Sequence, residues 1–211
     1  MFDNLLYEAQ SGRLDIAIAK HAKTDYRIVH ETEAFAILPT VSPITSGHCL
    51  IVPKVQCTGF YEVNNDTYKT LLYELRKKNF YRNGYITFEH GVYDASEYRC
   101  GVNHAHMHIM PWRTNFLPFI RQQLLKLCEK EPFKLVDQIC LTDLRAYDDK
   151  QTSYVHVESH IGTSFSLMGR NLPSQIMRNI AVDFGYSCSR NWRKLDNWDL
   201  FSETLKLWGT V

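Results

Sequence analysis

The sequence has no excess of charge of either sign. Its 24 lysines and arginines face 23 aspartates and glutamates, which gives a formal net charge of +1, and the two signs are interspersed along the chain. Proteins that bind nucleic acids usually carry a clustered basic patch, so a nucleic-acid partner is not expected. The charge balance is still compatible with binding of a small anionic ligand, because a few converging donors can hold a phosphate on a neutral protein.

Long apolar runs are also missing. No stretch reaches the roughly 18 uncharged apolar residues of a membrane helix, and residues 1–8 contain neither a basic leader nor the apolar run of a secretory signal. The six cysteines include no C-x-x-C pair, which argues against a disulfide framework. We therefore expect a soluble, cytoplasmic protein with reduced thiols and no membrane partner.

The first half of the chain consists of short β-rich runs separated by polar or proline- and glycine-bearing turns. These runs predict five antiparallel strands, at residues 26–30, 34–38, 48–53, 84–90 and 103–111. Apolar residues at helical spacing over 65–81 predict a helix that packs on the sheet. Residues 1–113 are therefore predicted to form an α+β core, an antiparallel five-stranded sheet with a packed helix.

The pattern changes in the second half, residues 114–211. A helix is predicted over 116–129, then β-prone pieces around 137–142 and 153–158, and a helix opened by Pro173 and closed by Gly185. The aromatic tail is compatible with one more short helix. We expect a C-terminal α/β extension packed on the core, as the second part of a single unit.

Three of the nine histidines stand at positions 104, 106 and 108. Side chains alternate faces along a strand, so all three are expected to lie on one face, about 6.6 Å apart at alternate positions. One interpretation is a metal site, with three imidazoles as ligands and Glu89 or Glu97 as an orienting carboxylate. The other is nucleophilic catalysis, in which one neutral imidazole attacks phosphorus while its neighbours position it and assist the leaving group.

The surrounding sequence resembles the histidine-triad (HIT) superfamily of nucleotide hydrolases and transferases. His104-Ala105-His106-Met107-His108-Ile109-Met110 matches its H-x-H-x-H motif followed by apolar residues, and residues 43–54, with Gly47-His48 and Pro53-Lys54, match its upstream motif. The resemblance covers about residues 25–112 and implies a HIT-like fold. It implies that His106 is the nucleophile, that His108 contacts the phosphate and assists the leaving group, and that His104 and His48 position the nucleophile.

The resemblance also bears on the substrate. Many family members carry an acidic residue for the ribose hydroxyls eight positions before the Gly-His histidine, and here that position is Thr40. Thr40 and Asn103 are the predicted substrate contacts of the core. A third histidine at 108, where the transferase branch has glutamine, favours water as the final acceptor. No cofactor is then required.

Residues 172–178, followed by Asn191-Trp192-Arg193, resemble C-terminal extensions of some longer HIT and Cwf-type proteins. Ser174 and Gln175 are predicted to lie in the first turn of a helix, whose free N–H groups can hold an anion. With Arg178 they are the predicted substrate contacts of the extension. The alternative is that they only cap the helix and that the arginine is a surface charge.

These observations predict a nucleotide phosphohydrolase that acts on a nucleoside phosphate ester, anhydride or phosphoramidate through a nucleotidyl-histidine intermediate. A metal-dependent hydrolase with His104, His106 and His108 as ligands, a nucleotidyltransferase and a non-catalytic nucleotide-binding module are the alternatives. The expected partner is a small-molecule nucleotide. Compact HIT proteins commonly form dimers, so a homodimer is also considered.

Overall fold

A computed structural model describes residues 5–14, 16–92, 104–147 and 153–209. Its eight strands over these residues are β1 (His30–Glu31), β2 (Phe35–Pro39), β3 (Cys49–Pro53), β4 (Tyr85–Val92), β5 (Met107–Pro111), β6 (Lys134–Asp137), β7 (Ser153–Ser159) and β8 (Ser164–Gly169). They form one antiparallel sheet in the order β1-β2-β3-β5-β4-β7-β8-β6.

Helices cover both faces of this sheet. The α-helices among the described residues are α1 (Leu5–Ser11), α2 (Ile16–Ala22), α3 (Asn65–Leu75), α4 (Asn79–Arg82), α5 (Phe116–Cys128), α6 (Ile176–Phe184) and α7 (Trp198–Trp208). None of them has the length and apolar character that spanning a membrane requires.

The predicted α+β class is confirmed, but the sheet is larger than predicted. Five strands correspond to the predicted core, and three more from the second half of the chain continue the same sheet, because β7 pairs with β4 from Ile86↔Ser159 to Val92↔Ser153. Strand β8 was not predicted. All six of its residues are buried, which leaves no alternation of buried and exposed residues to recognise. The division at residue 113 stays a prediction.

The single helix predicted over 65–81 is two helices in the structure. The Asn64 side chain caps α3 by accepting from the Thr67 N–H at 3.0 Å. Lys78 then takes an extended backbone, with ψ 133°, and separates α3 from α4. Helices α1 and α2 were not predicted, whereas α5 ends one residue before its predicted end.

The two faces of the sheet bury different clusters. On one face, Met107 and Ile109 of β5 pack with Leu71 and Leu75 of α3. On the other, Phe88 and Met110 pack with α5 and α6, and α1 covers the part of β2 and β3 nearest the edge. His108 pairs with Leu50 on one side and Phe88 on the other, so it lies on this second face, between the two clusters.

Candidate active site

Of the three clustered histidines, only His108 lies within β5. The strand begins at Met107, because the Ala105 N–H bonds to the Cys57 carbonyl at 3.0 Å instead of joining the sheet. The prediction that one strand presents all three histidines is therefore wrong. The structure nevertheless places His106 and His108 together, with ring centroids 5.3 Å apart, and places His48 beside His108 at 5.1 Å.

His106 is held in one tautomer by the backbone. Its Nδ1 lies 2.9 Å from the His104 carbonyl oxygen, and since a carbonyl only accepts, Nδ1 carries the proton. Burial lowers the pKa of His106, although the His104 carbonyl opposes this shift. The ring is therefore neutral near pH 7 and keeps a lone pair on Nε2, which is the form that a nucleophile needs.

His48 and His108 form a pair with an equally defined proton order. The Ile44 N–H donates to His48 Nδ1 at 3.0 Å, and His48 Nε2 lies 2.9 Å from His108 Nδ1. In the neutral pair, His48 Nε2 therefore donates to His108 Nδ1, and His108 carries its own proton on Nε2.

Both rings of this pair are poor bases. Burial lowers the pKa of His48 well below its usual value, and the charge of Arg178 lowers it further. Burial also lowers the pKa of His108, with smaller contributions from His48, His106 and Arg178. His108 thus presents a neutral Nε2–H donor, next to the free lone pair of His106.

An aromatic ring fixes the orientation of His108. Phe88 of β4 stacks on it with centroids 4.5 Å apart and planes 5° from parallel, and it also contacts the His48 ring at 5.9 Å. Register explains the contact, because Phe88 lies directly opposite His108 in the sheet. The stack leaves the His108 ring little freedom to rotate.

His104 acts on the site through its backbone. Its side chain is buried, and Nε2 donates to the Pro53 carbonyl at 2.8 Å, which points the ring away from His106. Its own carbonyl is the acceptor that sets the His106 tautomer. The predicted positioning role of His104 thus has a geometric basis in the main chain, although the role itself stays a prediction.

Glu89 and His90 lie on opposite faces of β4. Glu89 accepts from the Phe60 N–H at 3.0 Å and from the Tyr154 hydroxyl at 2.5 Å, on the face away from His108, and burial raises the pKa of Glu89 to about 8. Glu89 is therefore not placed to orient His108, contrary to the prediction, and Glu97, the other predicted orienting carboxylate, lies outside the described residues.

His90 is a neighbour of the site that the sequence left unassigned. It lies on the His108 face, two positions beyond Phe88, and burial lowers the pKa of His90 to about 4, with His106 as the second cause. The signal that could have revealed it is alternation along β4, which puts positions 88 and 90 on one face.

Thr40, a predicted substrate contact, is buried next to the backbone of His48. Its N–H donates to the His48 carbonyl at 3.2 Å. The neighbouring Pro39 carbonyl accepts from Arg27 at 2.8 Å, and Arg27 forms a buried ion pair with Glu8 of α1. Asn103, the other predicted contact of the core, lies outside the described residues.

Arg178 is the one predicted residue of the extension that the structure brings to the histidines. It is buried and donates to the Ser42 carbonyl and, at 3.2 Å, to the Ser189 carbonyl. Over the described part of the chain it forms no ion pair with a carboxylate. After burial, which is the largest cause, the positive charge of Arg178 also lowers the pKa values of His48 and His108.

Ser174 and Gln175 are placed differently from the prediction. Helix α6 begins at Ile176, because Gln175 has a left-handed backbone with φ 61°, so neither residue lies in the first turn. Ser174 is exposed. The Gln175 side chain accepts from the Trp192 N–H at 3.0 Å and donates to Asn191 at 3.4 Å.

The metal interpretation finds no matching geometry. In the ranges that the structure describes, no group of three or more His, Cys, Asp and Glu side chains is arranged to hold a metal ion. His104 Nε2 and His106 Nδ1 both face carbonyl oxygens, and His48 Nδ1 faces an N–H.

The structure thus combines an α+β sheet with a cluster of buried, neutral imidazoles. Residues 21–115 match the HIT domain model. This part of the chain is therefore a HIT domain, and the resemblance indicated by the two histidine motifs is confirmed for these residues. No curated protein matches the chain.

Three solved structures show what the chain is similar to. A Zn-bound histidine triad family protein from Mycobacterium smegmatis has 20% identity over 47% of this chain and 76% of its own, with a TM-score of 0.32. Yeast Ap4A phosphorylase Apa2 in complex with AMP has 13% identity over 65% of this chain and 56% of its own, with a TM-score of 0.40. A second structure of Apa2 has 14% identity over 86% and 72%, with a TM-score of 0.40.

Proposed function

We propose that this protein is a nucleotide-processing enzyme, a phosphohydrolase that works through a nucleotidyl adduct on His106. One observation carries the proposal. The backbone fixes His106 with its lone pair on Nε2, while the Ile44–His48–His108 chain of hydrogen bonds leaves the proton of the adjacent His108 on Nε2. A nucleophile and a hydrogen-bond donor thus stand side by side, as displacement at phosphorus requires.

In the first step, His106 Nε2 attacks phosphorus and a P–N bond forms. The bond from phosphorus to the leaving group breaks, and its electron pair departs with that group. The Nδ1 proton stays on His106 and continues to face the His104 carbonyl, which stabilises the positive charge of the substituted ring. The His108 Nε2–H donates a hydrogen bond to the oxygen on which negative charge develops.

In the second step, water attacks the same phosphorus and the P–N bond breaks. Its electron pair returns to His106 Nε2, which restores the neutral ring. The hydroxyl of water stays on the product phosphate and the other proton passes to solvent, so the sum of both steps is hydrolysis.

The substrate classes are an ester, an anhydride or a phosphoramidate of a nucleoside phosphate, and the site favours the anhydride. The lowered pKa of His108 makes it a donor of hydrogen bonds more than of protons. An anhydride releases a phosphate, which leaves as a stable anion, whereas an alcohol or amine must be protonated as it leaves. Hydrolysis of anhydrides should therefore be fastest.

Arg178 is proposed to contribute to phosphate binding. Burial lowers the pKa of Arg178 and the charge of Asp196 opposes this shift only in part, so a substrate phosphate would supply the direct ion-pair partner that a buried guanidinium favours. Thr40 and Asn103 stay proposed contacts of the nucleoside, and Ser174 and Gln175 stay proposed contacts at the edge of the extension.

The test is turnover of a panel of dinucleoside polyphosphates, nucleoside phosphoramidates and nucleotide esters, with products identified by mass spectrometry. His106→Ala should lose at least about a thousandfold in kcat, because no other group replaces the nucleophile. His21→Ala is the matched control, since His21 is exposed on α2 and stacks on Trp198. Equal turnover by His106→Ala and the parent would overturn the proposal.

A further inference from the structure

The proton order of the histidine pair depends on the loop that precedes β3. This loop, residues 40–48, includes Ile44, whose N–H donates to His48 Nδ1 at 3.0 Å. If that N–H moved away, His48 Nδ1 could hold the proton instead, and Nε2 would no longer donate to His108. The position of one backbone N–H therefore governs both rings.

The middle of the 40–48 loop is held by the C-terminal part of the chain. Five hydrogen bonds join it to residues 178–204: Arg178 to the Ser42 carbonyl, Ser42 Oγ to Asp196 at 2.9 Å, Asn197 Nδ2 to the Pro43 carbonyl at 3.1 Å, Ser46 Oγ to Glu203, and the Gly47 N–H to Thr204 Oγ1 at 2.9 Å. These contacts flank Ile44 on both sides.

Apolar packing adds to these hydrogen bonds. Val41 is buried against Phe201 and Leu205 of α7, and Ile44 is buried in the cluster that contains Ile176 and Met177 of α6. From the first half of the chain, the Tyr81 hydroxyl donates to the Gly47 carbonyl at 2.6 Å. The 40–48 loop therefore packs between the core and the extension. Most of the hydrogen bonds that hold it through a side chain are formed with residues of the extension.

We propose that residues of the C-terminal extension are positioning residues for the histidine pair. Arg178, Asn197 and Thr204 hold the 40–48 loop so that the Ile44 N–H stays on His48 Nδ1, and the pair keeps its proton order. The effect on turnover rests on the proposed function, whereas the effect on the tautomers of His48 and His108 does not.

Thr204 offers a matched pair of variants. Its buried Oγ1 accepts from the Gly47 N–H and donates to the Leu200 carbonyl. Thr204→Val keeps the shape and removes the acceptor, whereas Thr204→Ser keeps the acceptor. Asn197→Gly is a second, independent variant, because glycine tolerates the left-handed φ of 65° at this position while the amide donor is lost.

The readout is the protonation of each imidazole nitrogen, measured by long-range ¹H–¹⁵N NMR at a pH where the rings are neutral. In the parent and in Thr204→Ser, the Nδ1 atoms of His48 and His108 should be unprotonated. In Thr204→Val and Asn197→Gly, protonated Nδ1 should appear on His48, and kcat should fall about tenfold with KM changed less than about twofold, as expected for a displaced catalytic group.

Unchanged tautomers in folded Thr204→Val and Asn197→Gly proteins would overturn the inference. A shift of the same size in Thr204→Ser would also overturn it, because the hydroxyl would then not matter. Thermal melting of each variant establishes that it is folded. If His106→Ala kept full turnover, the proposed function would fail, while the tautomer measurement would still decide this inference.

Discussion

Removal of the Arg178 charge should change the pH dependence of the reaction. Arg178 lowers the pKa values of His48 and His108 because a nearby positive charge disfavours their protonated forms. In Arg178→Met both pKa values should rise, so protonation of the pair should begin at a higher pH. Because the neutral pair is the working form in the proposed mechanism, the acid limb of the kcat/KM profile should move to higher pH.

The size of the effect follows from the contacts of Arg178. The side chain is buried, it donates hydrogen bonds to the Ser42 and Ser189 carbonyls, and the charge of Asp196 only partly opposes the lowering of its pKa by burial. Loss of one preorganised hydrogen-bond donor to the negative charge of a transition state typically costs about 2.7–4 kcal/mol. We therefore expect kcat/KM to fall about a hundredfold to a thousandfold in Arg178→Met.

The assay is a pH–rate profile of kcat/KM for the best substrate of the panel, recorded for the parent, Arg178→Met and Arg178→Lys. Lysine keeps the charge but not the planar fork, so Arg178→Lys should keep the acid limb of the parent while losing part of the rate. An Arg178→Met profile with the acid limb of the parent would refute the electrostatic argument.

Two further predictions concern the sheet beneath the site. Phe88→Ala should lower the free energy of unfolding by about 3–5 kcal/mol in denaturant titrations, since a buried ring is lost, and kcat should fall more than in Phe88→Leu. Glu89 has its pKa raised from 4.5 to about 8 in the folded protein, so the folded state binds the extra proton between these values and the unfolding free energy falls as pH rises through this window. Glu89→Gln should remove a few kcal/mol of that dependence, and an identical slope in both proteins would contradict it.

Part of the fold could be predicted because local patterns express it. Apolar residues at helical spacing identified the helix beginning near residue 65, and β-rich runs identified the core strands. Strand β8 could not be recognised, because a strand buried on both faces shows no alternation. The start of α6 was misplaced because nothing in the sequence marks the left-handed backbone of Gln175.

The candidate site could also be predicted only in part. The histidines at 104, 106 and 108 were recognisable because they are adjacent in sequence, yet only His108 lies in the strand. The tautomer of each histidine depends on which carbonyl or N–H forms a hydrogen bond with its ring, such as the Ile44 N–H with His48. Only tertiary packing determines these partners. The sequence predicts Arg178 as a substrate contact. Its hydrogen bond to the 40–48 loop could not be predicted, because Arg178 and Ser42 are 136 residues apart in sequence.

The proposed mechanism passes through a covalent bond between His106 and phosphorus. The most direct measurement is intact-protein mass spectrometry of samples quenched during turnover, followed by peptide mapping under conditions that preserve P–N bonds. We expect a transient mass increase equal to one nucleotidyl group, located on His106 and missing from His106→Ala. Turnover without any adduct, or an adduct on another residue, would contradict it.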